Sequence, residues 1–113
     1  MTFETYTMSF ETYTNRLVKR LEHLCYASRK YGKYLSFYLP NYPDTNEFIY
    51  LFSIYYGNNT VRYVEDINDT FWSFIDYYDY ESLEHLYNLA KNFVIKAKKL
   101  QIEARILHRF TEE

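Results

Sequence analysis

Residues 80–110, YESLEHLYNLAKNFVIKAKKLQIEARILHRF, contain neither glycine nor proline. Within them Leu83, Ala90, Ala97 and Ala104 recur every seven residues, and Leu86, Phe93, Leu100 and Leu107 recur on the matching fourth position. Such a heptad draws one apolar seam along a helix, so a single helix is predicted from about Tyr80 to Phe110. Some thirty residues at 1.5 Å rise make about 45 Å, whereas a compact chain of this size is roughly 35 Å across. The helix should therefore project beyond the globule. Leu89, Ile95, Ile102, Ile106 and Phe110 lie off the seam, and this second apolar stripe needs a cover of its own. A second copy of the chain is one candidate, which makes Leu89, Ile95, Ile102 and Ile106 the expected self-association residues.

Upstream of that helix, Asn68 or Asp69 can cap a short helix carrying Phe71, Trp72, Phe74, Ile75 and Tyr78. Its apolar ring is too wide for a surface helix, so it is expected to plug one face of a sheet. Three strands are predicted before it. Leu35, Phe37 and Leu39 alternate with Tyr34, Ser36 and Tyr38 in the period-2 pattern of a half-buried strand. Residues 47–56 are apolar on both faces, as in a central strand. Gly57, Asn58 and Asn59 supply a hairpin turn into a third run over 60–67. Pro40 and Pro43 bracket the turn PNYPDTN between the first two.

The chain opens on a tandem heptad, MTFETYT followed by MSFETYT. The repeat puts Phe3, Phe10, Leu17, Leu24 and Tyr31 on one stripe with Tyr6, Tyr13 and Leu21. It predicts a helix from about residue 9, capped by Ser9 and stopped by Gly32, with residues 1–8 as an added, frayed copy. The expected order is α-β-β-β-α-α. This is a single α+β domain over residues 1–113 in which the long N- and C-terminal helices pair antiparallel around a small three-stranded antiparallel sheet and a short helix.

The composition is that of a globular chain, with 48% hydrophobic and 25% charged residues, but 15 Tyr and 9 Phe stand against 2 Gly and 2 Pro. Tyrosine is favoured at interfaces, where the ring supplies area and the hydroxyl a hydrogen bond. Cys25 is the only cysteine, which excludes an internal disulfide and a thiolate metal cluster and fits a reducing compartment. Its place on the apolar side of the first helix predicts a core residue. No basic-then-apolar leader and no bilayer-length apolar run is seen, so a soluble intracellular, cytoplasmic protein is expected. The sequons at Asn58 and Asn68 are then chance matches.

A net charge of −2 conceals segregation. Residues 32–90 hold nine acids with Lys33 and Arg62 as the only Lys or Arg, whereas 91–110 hold six bases and Glu103 alone as an acid. One end should be negative and the other positive.

Little in the chain recommends catalysis. Two glycines cannot build a phosphate-cradling loop, and no Ser/His/Asp or Cys/His pattern supplies a nucleophile. Arg16 and His23 frame RLVKRLEH, a spacing similar to the loose R-x4–6-H pattern of helical HEPN-type ribonucleases, with Leu17 where those enzymes place a polar residue. Glu81 and His85 are one helical turn apart and read as a solvated pair rather than metal ligands. No metal or cofactor is expected.

Two constellations remain. Glu65, Asp66, Asp69, Asp76, Tyr77, Tyr78, Asp79, Tyr80, Glu81 and Glu84 interleave carboxylates with tyrosines. Rigidly spaced carboxylates imitate a row of phosphates, and exposed tyrosines stack against arginines. Lys91, Lys96, Lys98, Lys99, Arg105 and Arg109, with Lys19, Arg20, Arg29 and Lys30, form a basic set. The leading expectation is a non-catalytic protein-binding module whose acidic Tyr-rich surface blocks the basic groove of a nuclease or another nucleic-acid-handling protein. In size, charge and composition, though in no motif, the chain resembles the small cysteine-poor inhibitors that phages direct against host defence nucleases, anti-CRISPR proteins among them. That resemblance implies an anti-defence role in an infected cell. A second reading is a dimeric nucleic-acid-binding or regulatory protein using the basic helix face, which the negative net charge disfavours. A third is a HEPN-like ribonuclease.

Overall fold

The computed structural model describes residues 7–42 and 48–111, with side chains along the last helix described as far as Leu107. The first heptad copy up to Tyr6, and the 43–46 portion of the proline-bracketed turn, lie outside the described residues. The fold is α+β. Helix α1 (Phe10–His23) leads into strands β1 (Ala27–Tyr31), β2 (Tyr34–Tyr38), β3 (Tyr50–Tyr55), β4 (Thr60–Tyr63) and β5 (Ser73–Phe74), and helix α2 (Tyr80–Thr111) closes the chain. The strands form one antiparallel meander in sequence order.

The expected three-stranded sheet thus has five strands, and the difference arises at two places. Helix α1 begins as read, with Ser9 Oγ accepting the Thr12 N–H at 3.1 Å, but it stops eight residues short of Tyr31. Leu24 is its C-cap, Cys25 turns left-handed with φ +68°, and the N–H groups of Cys25 and Tyr26 bond to Glu22 and Leu21 carbonyls at 3.0 Å each. This is the Schellman closure, usually built on glycine. Cys25 is consequently exposed at the end of the helix rather than in the core. The freed residues become β1, and Gly32, with φ +58°, turns the β1–β2 hairpin instead of ending a helix. Glycine at the first central position suits a type II′ turn.

The second difference is the expected short helix over 68–78, which does not form. The Asp66 N–H bonds to Asp69 Oδ2 at 3.0 Å and the Asn68 N–H to Asp66 Oδ1 at 3.2 Å, locking a turn. Ser73 and Phe74 then pair with Tyr63 and Arg62, giving the open edge of β4 a backbone partner. Phe71, expected to be buried, is 84% exposed.

Both helices lie on one face of the sheet. Tyr13, Leu17 and Leu21 of α1 meet Leu83, Leu86, Ala90, Phe93 and Ala97 of α2 over Phe37, Phe52, Ile54 and Val61. Their contacts pair rising numbers with rising numbers: Tyr13 OH with Ser82 Oγ at 3.1 Å, Arg20 with Glu84 at 2.6 Å, and Tyr26 OH donating to the Ala90 carbonyl at 2.8 Å. The helices are therefore parallel neighbours, where antiparallel pairing was expected. An odd number of reversing strands with no helix after them returns the chain to its original heading. Thr7 bridges Asp79 and the Met8 N–H bonds the Tyr78 carbonyl at 2.6 Å, joining the two helix starts.

The far face of the sheet carries no helix. A band of rings crosses it. Phe48 lies 4.8 Å from Tyr38, Tyr38 5.8 Å from Tyr50, Tyr31 6.3 Å from Tyr34, and Tyr34 4.3 Å from Tyr55. Tyr31 and Tyr50 hydroxyls meet at 3.2 Å. The Arg62 guanidinium lies over Tyr34, Tyr55 and Trp72 at 5.2, 4.9 and 4.3 Å. Beneath these rings Ser36 and Ser53 hydroxyls share a buried hydrogen bond of 3.1 Å.

Candidate functional site

The start of α2 gathers carboxylates because a helix N-terminus stabilises them. Asp79 caps it: its Oδ1 accepts the Ser82 N–H at 2.8 Å and its carbonyl accepts the Leu83 N–H at 3.1 Å. Glu81 follows in the first turn. The strand-like approach from β5 brings Asp76 and Tyr77 alongside, and the four residues line one opening of about 320 Å³ with Tyr63, Phe74, Ile75, Ser82 and His85. Tyr77 is 70% exposed at its lip.

Glu65 approaches the same wall. It accepts the Tyr63 hydroxyl at 2.9 Å and stands 3.4 Å from His85 Nε2. Burial first, then this bond to Glu65, pushes the Tyr63 hydroxyl up to about 12, so it remains a proton donor. His85, read from the sequence as a solvated partner of Glu81, is among the described residues the single base lining the opening and answers Glu65, with its ring edge-on to Tyr63 at 5.9 Å.

The remaining residues of the acidic run go elsewhere. Asp66 faces Lys96 at 3.4 Å, and the Asn68 backbone N–H, ahead of the Lys96 ammonium, holds its carboxyl below the usual range. Asp69 is engaged by the Asp66 backbone. Glu84 pairs with Arg20, and Tyr80 lies beneath Arg16 at 5.1 Å. Tyr78 turns inward, 5.4 Å from Phe10 and 5.2 Å from Tyr13. The run expected to form one surface is divided: Asp76, Tyr77, Asp79 and Glu81 converge with Glu65 beside them, while Asp66, Asp69, Tyr78, Tyr80 and Glu84 serve other contacts.

Chemically the opening suits a cationic side chain. Tyr77, Phe74 and Ile75 can take an aliphatic stem, and the carboxylates the charged head. Among the described residues, no three His, Cys, Asp or Glu side chains are grouped to hold a metal ion.

The basic set is also divided. Lys96 and Arg20 are ion-paired, Lys91 lies over Tyr87 at 4.7 Å, and Arg29 over Phe48 at 4.8 Å. Lys98, Lys99 and Arg105 stand exposed on the projecting part of α2 with Ile95, Ile102 and Ile106. Leu89, expected with those isoleucines, is half-buried against the core instead. Arg16 and His23 are seven residues apart on α1, hence about 10 Å along its axis. No helix among the described residues is long and apolar enough to cross a membrane. Comparison with protein families, with curated proteins and with solved structures gives no match.

The sequence did not mark Tyr63, Ser82 or His85 as part of this site. His85 and Glu65 carried the signal, an acid and a base twenty residues apart, but only the β4–β5 connection brings them together.

Proposed function

We propose that the protein is a non-catalytic binding module whose acidic mouth receives a lysine or arginine from the basic groove of a nucleic-acid-handling protein, and so keeps nucleic acid out of that groove. The observation that carries this reading is the convergence of Asp76, Tyr77, Asp79 and Glu81 on one opening with His85 as its only base among the described residues. Carboxylates held by a capped helix start and a paired strand are pre-ordered, which spares a partner the entropy of arranging them. An inhibitor of the phage anti-defence kind fits this geometry.

The test is the triple variant Asp76→Asn, Asp79→Asn, Glu81→Gln. Asparagine caps a helix as well as aspartate, so the fold is retained, which circular dichroism verifies. Wild-type protein should retain a basic nucleic-acid-handling partner from lysate, losing it at high salt or to competing oligonucleotide, and the triple variant should release it. Equal retention by the variant refutes the reading.

A second reading has its own support. Ile95, Ile102 and Ile106 are exposed on the projecting helix beside Lys98, Lys99 and Arg105, an arrangement suited to a dimer that offers a basic face to phosphates. Light scattering with Ile102→Lys and Ile106→Lys decides it: a particle of monomer mass before and after the changes removes this alternative.

A further inference from the structure

We propose that the helix-free face of the sheet is a second binding surface, a stacking platform for single-stranded nucleic acid. The charge on it comes from one sign. Among the described residues no strand carries a carboxylate, and the strands' charged residues are Arg29, Lys30 and Arg62. Arg62 pairs with Ser53, and Arg29 with Ser36 in register; these are the two serines beneath the rings, so both arginines belong to this face.

Arg62 has the more telling environment. Its guanidinium is held against Tyr34, Tyr55 and Trp72 and donates to the Tyr34 hydroxyl, while its buried Nε has no hydrogen-bond partner. No carboxylate among the described residues lies within ion-pair distance of it. A cation so placed normally has an anion beside it, and no carboxylate of the described residues supplies one. The rings at the edge of the band are available: Tyr31 is 52% and Phe48 48% exposed. Planar rings next to arginines that no described carboxylate pairs with match a ligand whose bases stack and whose phosphates pair. A duplex hides its base faces, which selects the single strand. An acidic protein would satisfy the arginines but would leave the exposed rings without the stacking that a base provides.

The experiment is fluorescence anisotropy with labelled oligouridine and oligothymidine of about twelve nucleotides, within the span of a single platform, and with a duplex of equal length, in about 50 and 200 mM salt. Both single strands should bind more tightly than the duplex, and a preference between RNA and DNA shows whether the 2′-hydroxyl is read. With two arginines neutralising phosphates, the slope of log affinity against log salt should be about −1.4. Tyr31→Ala with Phe48→Ala removes exposed rings and leaves the core intact, so the melting curve is retained while affinity falls at least tenfold. Arg62→Gln should lower affinity and flatten the salt slope. The acidic-mouth triple variant should bind at least as tightly as wild type, separating this surface from the one proposed above. The inference is overturned by the absence of any anisotropy change, by equal binding of duplex, by binding that survives loss of the rings but not Lys98→Ala with Lys99→Ala, or by a ring-dependent self-association in place of oligonucleotide binding.

Discussion

Cys25 occupies a left-handed backbone position that glycine adopts at no steric cost. An L side chain there costs roughly 1–2 kcal/mol, and part of this is offset because cysteine leaves the unfolded chain less free than glycine does. Cys25→Gly should therefore stabilise the protein by about 1 kcal/mol, read as a higher urea midpoint at unchanged slope; an unchanged or lower midpoint contradicts the strain. Tyrosine is the other residue whose environment is unusual. Burial raises the Tyr13 hydroxyl to about 12 and the Tyr26 hydroxyl further, and burial with the Glu65 bond raises Tyr63 to about 12. In the unfolded chain these groups ionise near 10. Between those values the unfolded state holds fewer protons, so the contribution of Tyr13 and Tyr63 is complete below pH 10 and is lost as pH rises through about 12. Urea midpoints measured across that interval should fall, and Tyr13→Phe should make the fall shallower. An unchanged slope in that variant would remove Tyr13 from the account.

At the scale of elements, Ala90 shows why the heptad uses alanine. It is fully buried and its carbonyl accepts the Tyr26 hydroxyl at 2.8 Å, so a larger side chain there would have to displace packed neighbours. Ala90→Leu should destabilise by about 1–3 kcal/mol through overpacking, and Tyr26→Phe by about 1 kcal/mol through the lost hydrogen bond. Chemical denaturation checks each: an undiminished midpoint in Ala90→Leu would mean that the site has room to spare, and one in Tyr26→Phe that the hydrogen bond adds nothing. The seam itself changes character along the helix. Leu83, Leu86, Ala90, Phe93 and Ala97 are buried, Leu100 half-buried, and Ala104 exposed, so the heptad outlasts the globule that uses it.

The whole molecule measures 66 × 36 × 25 Å, with a radius of gyration of 16.3 Å against roughly 13 Å for a compact chain of this length. The difference is the projection of α2. Ending the chain before Ala104 removes none of the described core residues, so it should leave stability within about 0.5 kcal/mol while sedimentation shows a more compact particle. A large loss of stability would mean that the projecting turns are packed against something, a second copy included. Three contacts join the expected acidic run to bases: Arg20 with Glu84, Lys96 with Asp66, and His85 with Glu65. Of that run, Asp76, Asp79 and Glu81 are left at the mouth. Binding there should weaken steeply with salt, since exposed charges are screened beyond about 8–10 Å at physiological ionic strength, and salt-independent binding would point to an apolar contact instead.

The sequence by itself determined the two helices, the buried stripe of Tyr13, Leu17 and Leu21, the central strand around Phe52, and the overhang, because each follows from a local apolar period or from length. It could not settle where α1 ends, since the left-handed cap falls on Cys25 and the reader's cue of glycine stands seven residues later at Gly32. Nor could it separate a helix from an edge strand over 68–78, where the deciding factor was the unpaired edge of β4, a partner distant in sequence. Tertiary structure alone decided that the helices run parallel, that five strands leave a face of rings and arginines open, and that four residues of the acidic run share one opening while the others meet bases or backbone. Periodicity reports which side of an element is apolar. Which other element covers that side, and which charges end up facing each other, depends on the heading of every strand in between.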